Sequence, residues 1–209
     1  MVKLLTVGWR EFLPLAQPAL SRCPVPQIIS ELRNSAIKYC KQTRVWRHVS
    51  DLMDVYNGEC RYVFVTPPDA TVADTLEVRF NDYSLLEMDD RIVRDEPGVP
   101  GYYQIEEPGF VRLIPCPRED ATAMLQTVNA LAPSVTAATC PKFLLETHGL
   151  AIAAGAKAEL MLVPDKGWSD PARSQVEQRK FDGAMAEIRV KEMRGGTNKK
   201  LEMRSGNYF

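Results

Sequence analysis

The chain has 209 residues, 45% of them apolar, and its 26 Lys and Arg nearly balance 27 Asp and Glu. That composition is ordinary for a globular protein and allows one large domain or one domain carrying an insertion. No run approaches the ~20 apolar residues of a membrane helix. The start, MVKLLTVGWREF, meets charges before any cleavage-like site, which argues against a signal peptide.

Residues 1–23 hold Trp9, Phe12, Leu13 and Leu20 but also Pro14 and Pro18, so no long helix passes through them unkinked. The expected form is an extended arm with one helical turn, packed on this subunit or a neighbour. After Cys23-Pro24-Val25-Pro26 the period becomes helical. Ile28, Ile29, Leu32, Ala36, Ile37 and Cys40 share one face, with Trp46 near it, and Glu31, Arg33, Asn34, Lys38 and Lys41 lie opposite. This predicts an amphipathic helix over residues 26–43.

From His48 to Ala132 the pattern turns strand-like. RYVFVTPP, TLEVRFND, RIVRD, GYYQIEE, FVRLIPCP and AMLQTVNALA are short β-type runs separated by turn-rich segments, and Asn57-Gly58 is a hairpin signal. The reading is a compact antiparallel unit of six to eight strands. Residues 133–139 then link to a second helical block. Leu144, Leu145, Ile152, Ala156 and Leu160 recur at helical spacing around the small-residue centre AIAAGAKA, where another backbone can approach closely. Pro164, Lys166, Gly167 and Trp168 break that helix. Ser169 or Asp170 can cap the next one, and Pro171 suits its first turn. Val176, Phe181, Met185 and Ile188 are its expected inward face, and Gly195-Gly196 its stop.

The fold class predicted is therefore α+β. It is a helical bundle of about three main helices with an inserted antiparallel β unit and extended N- and C-terminal arms. The divisions are 1–47 (arm and first helix), 48–132 (β unit), 133–195 (helix pair) and 196–209 (C-terminal extension). Charge follows them: residues 1–49 carry eight basic against two acidic side chains, residues 50–125 six against sixteen, and residues 126–209 twelve against nine. Opposite-sign surfaces of this kind set register between copies or partners.

Catalytic chemistry finds little footing. Asp89-Asp90, Glu106-Glu107 and Glu119-Asp120 sit beside turns with no histidine or apolar pocket to split their protonation, and read as solvated loops. Ser50 and Ser84 stand in no GxSxG frame, and no phosphate-binding loop is present. Five cysteines without CxxC spacing suggest reduced, buried thiols. His48 and His148 have no close ligand partner, so no metal or cofactor is expected, and His148 reads as a structural histidine. The end of the chain, RGGTNKKLEMRSGNYF, is basic and glycine-punctuated. It reads as an arm that orders on a partner, with Tyr208 and Phe209 as anchors and Arg194, Lys199, Lys200 and Arg204 matched to acidic ground.

Two blocks carry a resemblance. FLPLAQPALSRCPVPQIISELRNSAIKYCKQTRVWR and LLETHGLAIAAGAKAELMLVPDKGWSDPARSQVEQRKFDGAM, with the turn residues Pro164, Lys166, Trp168, Ser169 and Pro171, resemble the head-to-tail adaptor (connector) proteins of tailed bacteriophages. About half the chain is covered, by packing and turn motifs. The resemblance implies a non-enzymatic virion protein at the portal vertex, made in the host cytoplasm. It would form a ring of twelve copies between the portal protein and a tail or nozzle protein. Genomic DNA would pass through the channel at ejection without specific binding, and the C-terminal extension, residues 196–209, would grip the portal with Arg194 just ahead of it. An alternative from charge alone is a nucleic-acid-binding accessory factor of packaging or tail assembly that uses the basic ends.

Overall fold

The computed structural model describes residues 5–88 and 97–193. The chain opens with strand β1 (Thr6–Gly8) and a compact run of turns, Trp9–Phe12, helix α1 (Leu13–Ala16) and Gln17–Ala19. Helix α2 (Val25–Thr43) follows, then strands β2 (Arg47–Val49), β3 (Met53–Val55), β4 (Arg61–Val63), β5 (Ala70–Phe80), β6 (Tyr83–Ser84) and β7 (Leu86–Glu87). Strands β8 (Tyr102–Glu107), β9 (Phe110–Ile114), β10 (Ala121–Pro133) and β11 (Thr139–Pro141) lead into helices α3 (Lys142–Met161) and α4 (Pro171–Met193).

The strands form three sheets, one of them a half-barrel. A small sheet pairs β1 with β11. A central sheet runs β2-β10-β5-β6, with β3 also on β10. An outer sheet runs β4-β9-β8-β7. The long ribbon β5–β10 is the spine. Leu131 and Ala132 of β10 and Ala70, Val72 and Ala73 of β5 join the helical core of Leu32, Ala36, Ile152 and Phe181. Val78 and Leu125, at the ribbon's other end, join a second core with Tyr62, Tyr103, Val111 and Leu113 of the outer sheet.

This architecture overturns the expected bundle with a small inserted β unit. The described residues are sheet-rich, with about eleven strands and four helices, and the pair β7–β8 is parallel. The reason is that the spine is a wall of the helical core as well as of its own, because β10 is apolar and buried through Ala130, Leu131 and Ala132. The N-terminal segment is not an extended arm. Its apolar side chains are worth more buried than exposed, and Trp9, Phe12, Ala16 and Leu20 all lie inside the core. Trp9 Nε1 donates to Ala137 O at 2.9 Å, which ties this segment to the approach of β11.

Local predictions fared unevenly. The Asn57-Gly58 turn exists, with Gly58 at φ +75°, but its flanking strands part to different sheets, so no hairpin forms. Gly58 N instead donates to Pro117 O at 2.8 Å. Helix α2 forms as its apolar stripe requires, and Arg44 closes it in the left-handed region with its N–H on Cys40 O. On α4 the inward face is Ser174, Glu177, Phe181 and Met185, while Val176 is exposed. The cysteines are not all reduced: Cys60 and Cys116 form a disulfide, leaving Cys23, Cys40 and Cys140 as buried thiols.

Candidate interaction surfaces

Three helices meet where the small-residue run predicted a close seam. A side chain on Gly155 of α3 would run into Ser35 Oγ of α2 and come within 2.9 Å of the Phe181 ring of α4. Ser35, 4% exposed, spends its hydroxyl on Ile152 O at 2.8 Å. Ser174 Oγ does the same from α4 to Ala158 O at 2.7 Å. Beside it Glu177, 4% exposed, is held between Lys157 and Lys180, each at 2.6 Å. Burial opposes the charge on Glu177, but the two ammonium groups outweigh it and keep the carboxyl below its usual range.

A groove of about 610 Å³ runs between α3 and α4 beside this ion pair. Ala151, Ala154 and Ala184 line it, with Tyr39 and His148 at one end. Tyr39 Oη and His148 Nδ1 lie 2.9 Å apart, and Phe143 meets the imidazole edge-on. Burial, with Lys191 nearby, lowers the His148 pKa, and burial pushes the Tyr39 phenol up to about 12. His148 is thus neutral and partnered at pH 7, the arrangement of a packing histidine.

The turn before α4 is built by its own side chains. Asp170 caps the helix, accepting from Arg173 N at 3.0 Å, and Asp170 N donates to Met161 O at 2.9 Å. Ser169 reaches back toward Met161 O, Trp168 packs half-buried on the helical core, and Pro171 is the first residue of α4. These residues fix the angle between α3 and α4. The other singled-out residues, Arg194, Lys199, Lys200, Arg204, Tyr208 and Phe209, lie outside the described residues, as do Asp89 and Asp90.

The surface that sequence reasoning missed is the outer face of the β4-β9-β8-β7 sheet. Its inner face carries Tyr62, Val111 and Tyr103 into the second core. Strand alternation sends the neighbours of these residues outward. Val63 and Phe110 face each other across strands and are 52% and 40% exposed; Leu86 and Tyr102 do the same at 65% and 42%. Between the two pairs, Arg61 Nε contacts Glu106 Oε2 at 2.8 Å and Arg112 contacts Glu106 Oε1 at 3.5 Å. Glu106 is therefore a strand residue held by arginines, not a loop acid. Alternation within RYVFV, FVRLI and GYYQIEE contained the signal, since both faces of these strands carry apolar side chains.

Glu119 and Asp120 do lie in an exposed loop, where Asp120 accepts from Asn57 N at 2.7 Å and Glu119 lies 3.6 Å from Arg118. Among the described residues no cluster of His, Cys, Asp and Glu is placed to hold a metal ion, and no helix is long and apolar enough to cross a membrane. No known protein-family profile matches the chain, and no curated protein sequence matches it.

Proposed function

We propose that this chain is a structural subunit of a tailed-phage particle, a head-to-tail adaptor that forms a ring between portal and tail. The observation that carries the reading is the outer sheet face. Paired apolar and aromatic residues flank an arginine–glutamate cluster there, the composition of a protein-binding surface rather than of a solvated one. The two helical blocks that resemble the adaptor family pack together around Gly155 and present the turn at Trp168, Ser169 and Pro171. On this reading the ring has twelve copies, and its partners are the portal and a tail or nozzle protein. The segment from Arg194 to Phe209 grips the portal, and the work is assembly and DNA passage rather than catalysis. Acidic side chains of residues 50–125 outside the Glu106 cluster would face passing DNA and keep it from adhering.

The test is light-scattering mass of the purified chain, alone and mixed with portal rings from the same particle. Joining the portal in ring-like stoichiometry supports the reading. A chain that stays apart from the portal, and instead shifts duplex DNA at low salt, would replace it with a nucleic-acid-binding accessory role.

A further inference from the structure

Helix α4 is apolar on two opposite sides. Phe181 and Met185 face the core, with Ser174 and Glu177 in line with them. At about 100° per residue, Ala172, Val176, Arg179, Gly183, Ala186 and Val190 fall on the opposite side. All six are exposed, and Val176 and Val190 are left 49% and 46% open. A glycine inside a helix lowers its stability, and nothing in its own chain lies within 4 Å of a Cβ on Gly183. The core therefore does not account for Gly183, whereas a second helix crossing this face would fit against it.

The flanks of this face carry charges that a reversed copy of the same helix matches. Lys180 and Glu187 border one flank, Asp182 and Arg189 the other, all exposed. Each flank thus holds both signs, and reversing it sets plus against minus. A two-fold axis at the level of Ala184 brings Val176, Lys180 and Asp182 within about one turn of Val190, Glu187 and Arg189 of the second copy. Among the described residues these charges are not spent within the chain on opposite ones: Asp182 accepts from Gln178, Arg189 donates to Gln42, and Glu187 has no ion-pair partner. A parallel two-fold would instead press Arg179 onto its own copy, like charge on like, whereas the reversed one sets the two guanidinium groups about 15 Å apart along the axis.

We propose that a second copy of this chain docks here, α4 against α4, antiparallel about a two-fold axis near Ala184. The apolar contact is small, so the dimer forms at high concentration and comes apart in dilute solution. Neighbours in a cyclic ring meet head to tail, not across a two-fold axis, so this contact lies outside any ring interface. It stands apart from the adaptor reading, which uses the outer sheet face.

Sedimentation equilibrium of the full chain, from micromolar to millimolar concentration, should show the mass rising from one copy toward two. Asp182→Arg sets an arginine against Arg189 at both symmetry-related pairs and should weaken association about tenfold or more. Adding Arg189→Asp restores opposite charges and should return the dimer. A parallel arrangement would not recover, because position 182 then meets Lys180. Val176→Asp places a charge in the seam and should hold the chain at one copy, with circular dichroism matching the parent because the position is exposed. A wild-type chain that stays at one copy at millimolar concentration overturns the proposal. So does a dimer that Asp182→Arg or Val176→Asp leaves intact, or one that the double charge swap fails to restore.

Discussion

Adding one methyl group to α3 and one to α4 should change stability in opposite directions. Gly155 sits at the three-helix seam, where a Cβ would overlap Ser35 Oγ and stand 2.9 Å from two carbons of the Phe181 ring. Neither neighbour has room to yield. Ser35 is buried and bonded to Ile152 O, and Phe181 is 1% exposed. Overpacking of this kind costs about 1–3 kcal/mol, and losing the Ser35 bond adds about 1 kcal/mol. Alanine returns about 1 kcal/mol through helix propensity. Gly155→Ala should therefore destabilise by about 2 kcal/mol, lowering Tm by about 4–8 °C in a protein of this size. Gly183 on α4 is the control, because nothing lies within 4 Å of its would-be Cβ. There only the propensity term acts, and Gly183→Ala should raise Tm by about 2–4 °C. Thermal unfolding followed by circular dichroism reads both. If the two substitutions move Tm in the same direction, helix propensity decides and the close seam is wrong.

Removing Glu177 should be costlier than its single charge suggests, because it leaves Lys157, whose side chain is only 16% exposed, without its partner; Glu177→Ala should lose about 2–4 kcal/mol in denaturant unfolding, somewhat less than a fully buried pair. Its carboxyl is depressed in the folded state, so the stabilisation is present above the ordinary carboxylate range and fades as pH falls through the lowered folded value. The gap in Tm between wild type and Glu177→Gln should accordingly close in acid and stay constant from neutral pH upward, and a gap that widened in acid would contradict the assignment. Thiol titration of the unreduced, denatured chain should find three reactive cysteines; five would mean that the Cys60–Cys116 bond is absent. Val63→Ser with Phe110→Ser should leave Tm within about 2 °C of the parent, as exposed substitutions do, while abolishing ring assembly on the portal. Assembly at wild-type stoichiometry would move the interface to another face.

The helices were legible because their side chains report on a neighbour at one fixed spacing. Ile28, Leu32, Ala36 and Cys40 are all buried, and the Pro24–Pro26 start of α2 stands where the sequence put it. The small-residue centre of α3 likewise reported a close approach, since Gly155 has no space for a side chain. Val176 misled because a lone valine and a glutamate one residue on compete for the same face. Two lysines from different turns of the fold decide it for Glu177, and no local pattern contains Lys157. The sheets were read as a small insertion because strand partners are set at long range. Nothing near Asn57-Gly58 says that β3 will join β10 and β4 will join β9. The disulfide joins residues 56 positions apart and leaves no spacing signature. Of the candidate site, the turn at Trp168–Pro171 was visible, while the outer sheet face needed the register Val63–Phe110 to bring its members together.

The placement of the sulfur atoms follows from the unequal size of the two cores. Among the described residues the helical core gathers twenty-three buried side chains and the second core nine. Buried apolar area is the main favourable term, so the smaller core has much less with which to oppose chain entropy. The three thiols lie in or beside the large core, where burial pushes Cys40 up and Cys140 to about 12 and leaves them inert. The disulfide lies at the rim of the small one, where β4 has only three residues to hold it against β9. Closing a loop with a sequence separation of 56 removes unfolded-state entropy worth up to about 4 kcal/mol. That is comparable to what two buried aliphatic side chains supply. Reduction should therefore loosen the outer sheet first: amides of β4 and β9 should lose hydrogen-exchange protection while those of α2 and α3 keep theirs. Uniform loss across both sets would mean that the cores unfold as one, and that the small core does not depend on its crosslink.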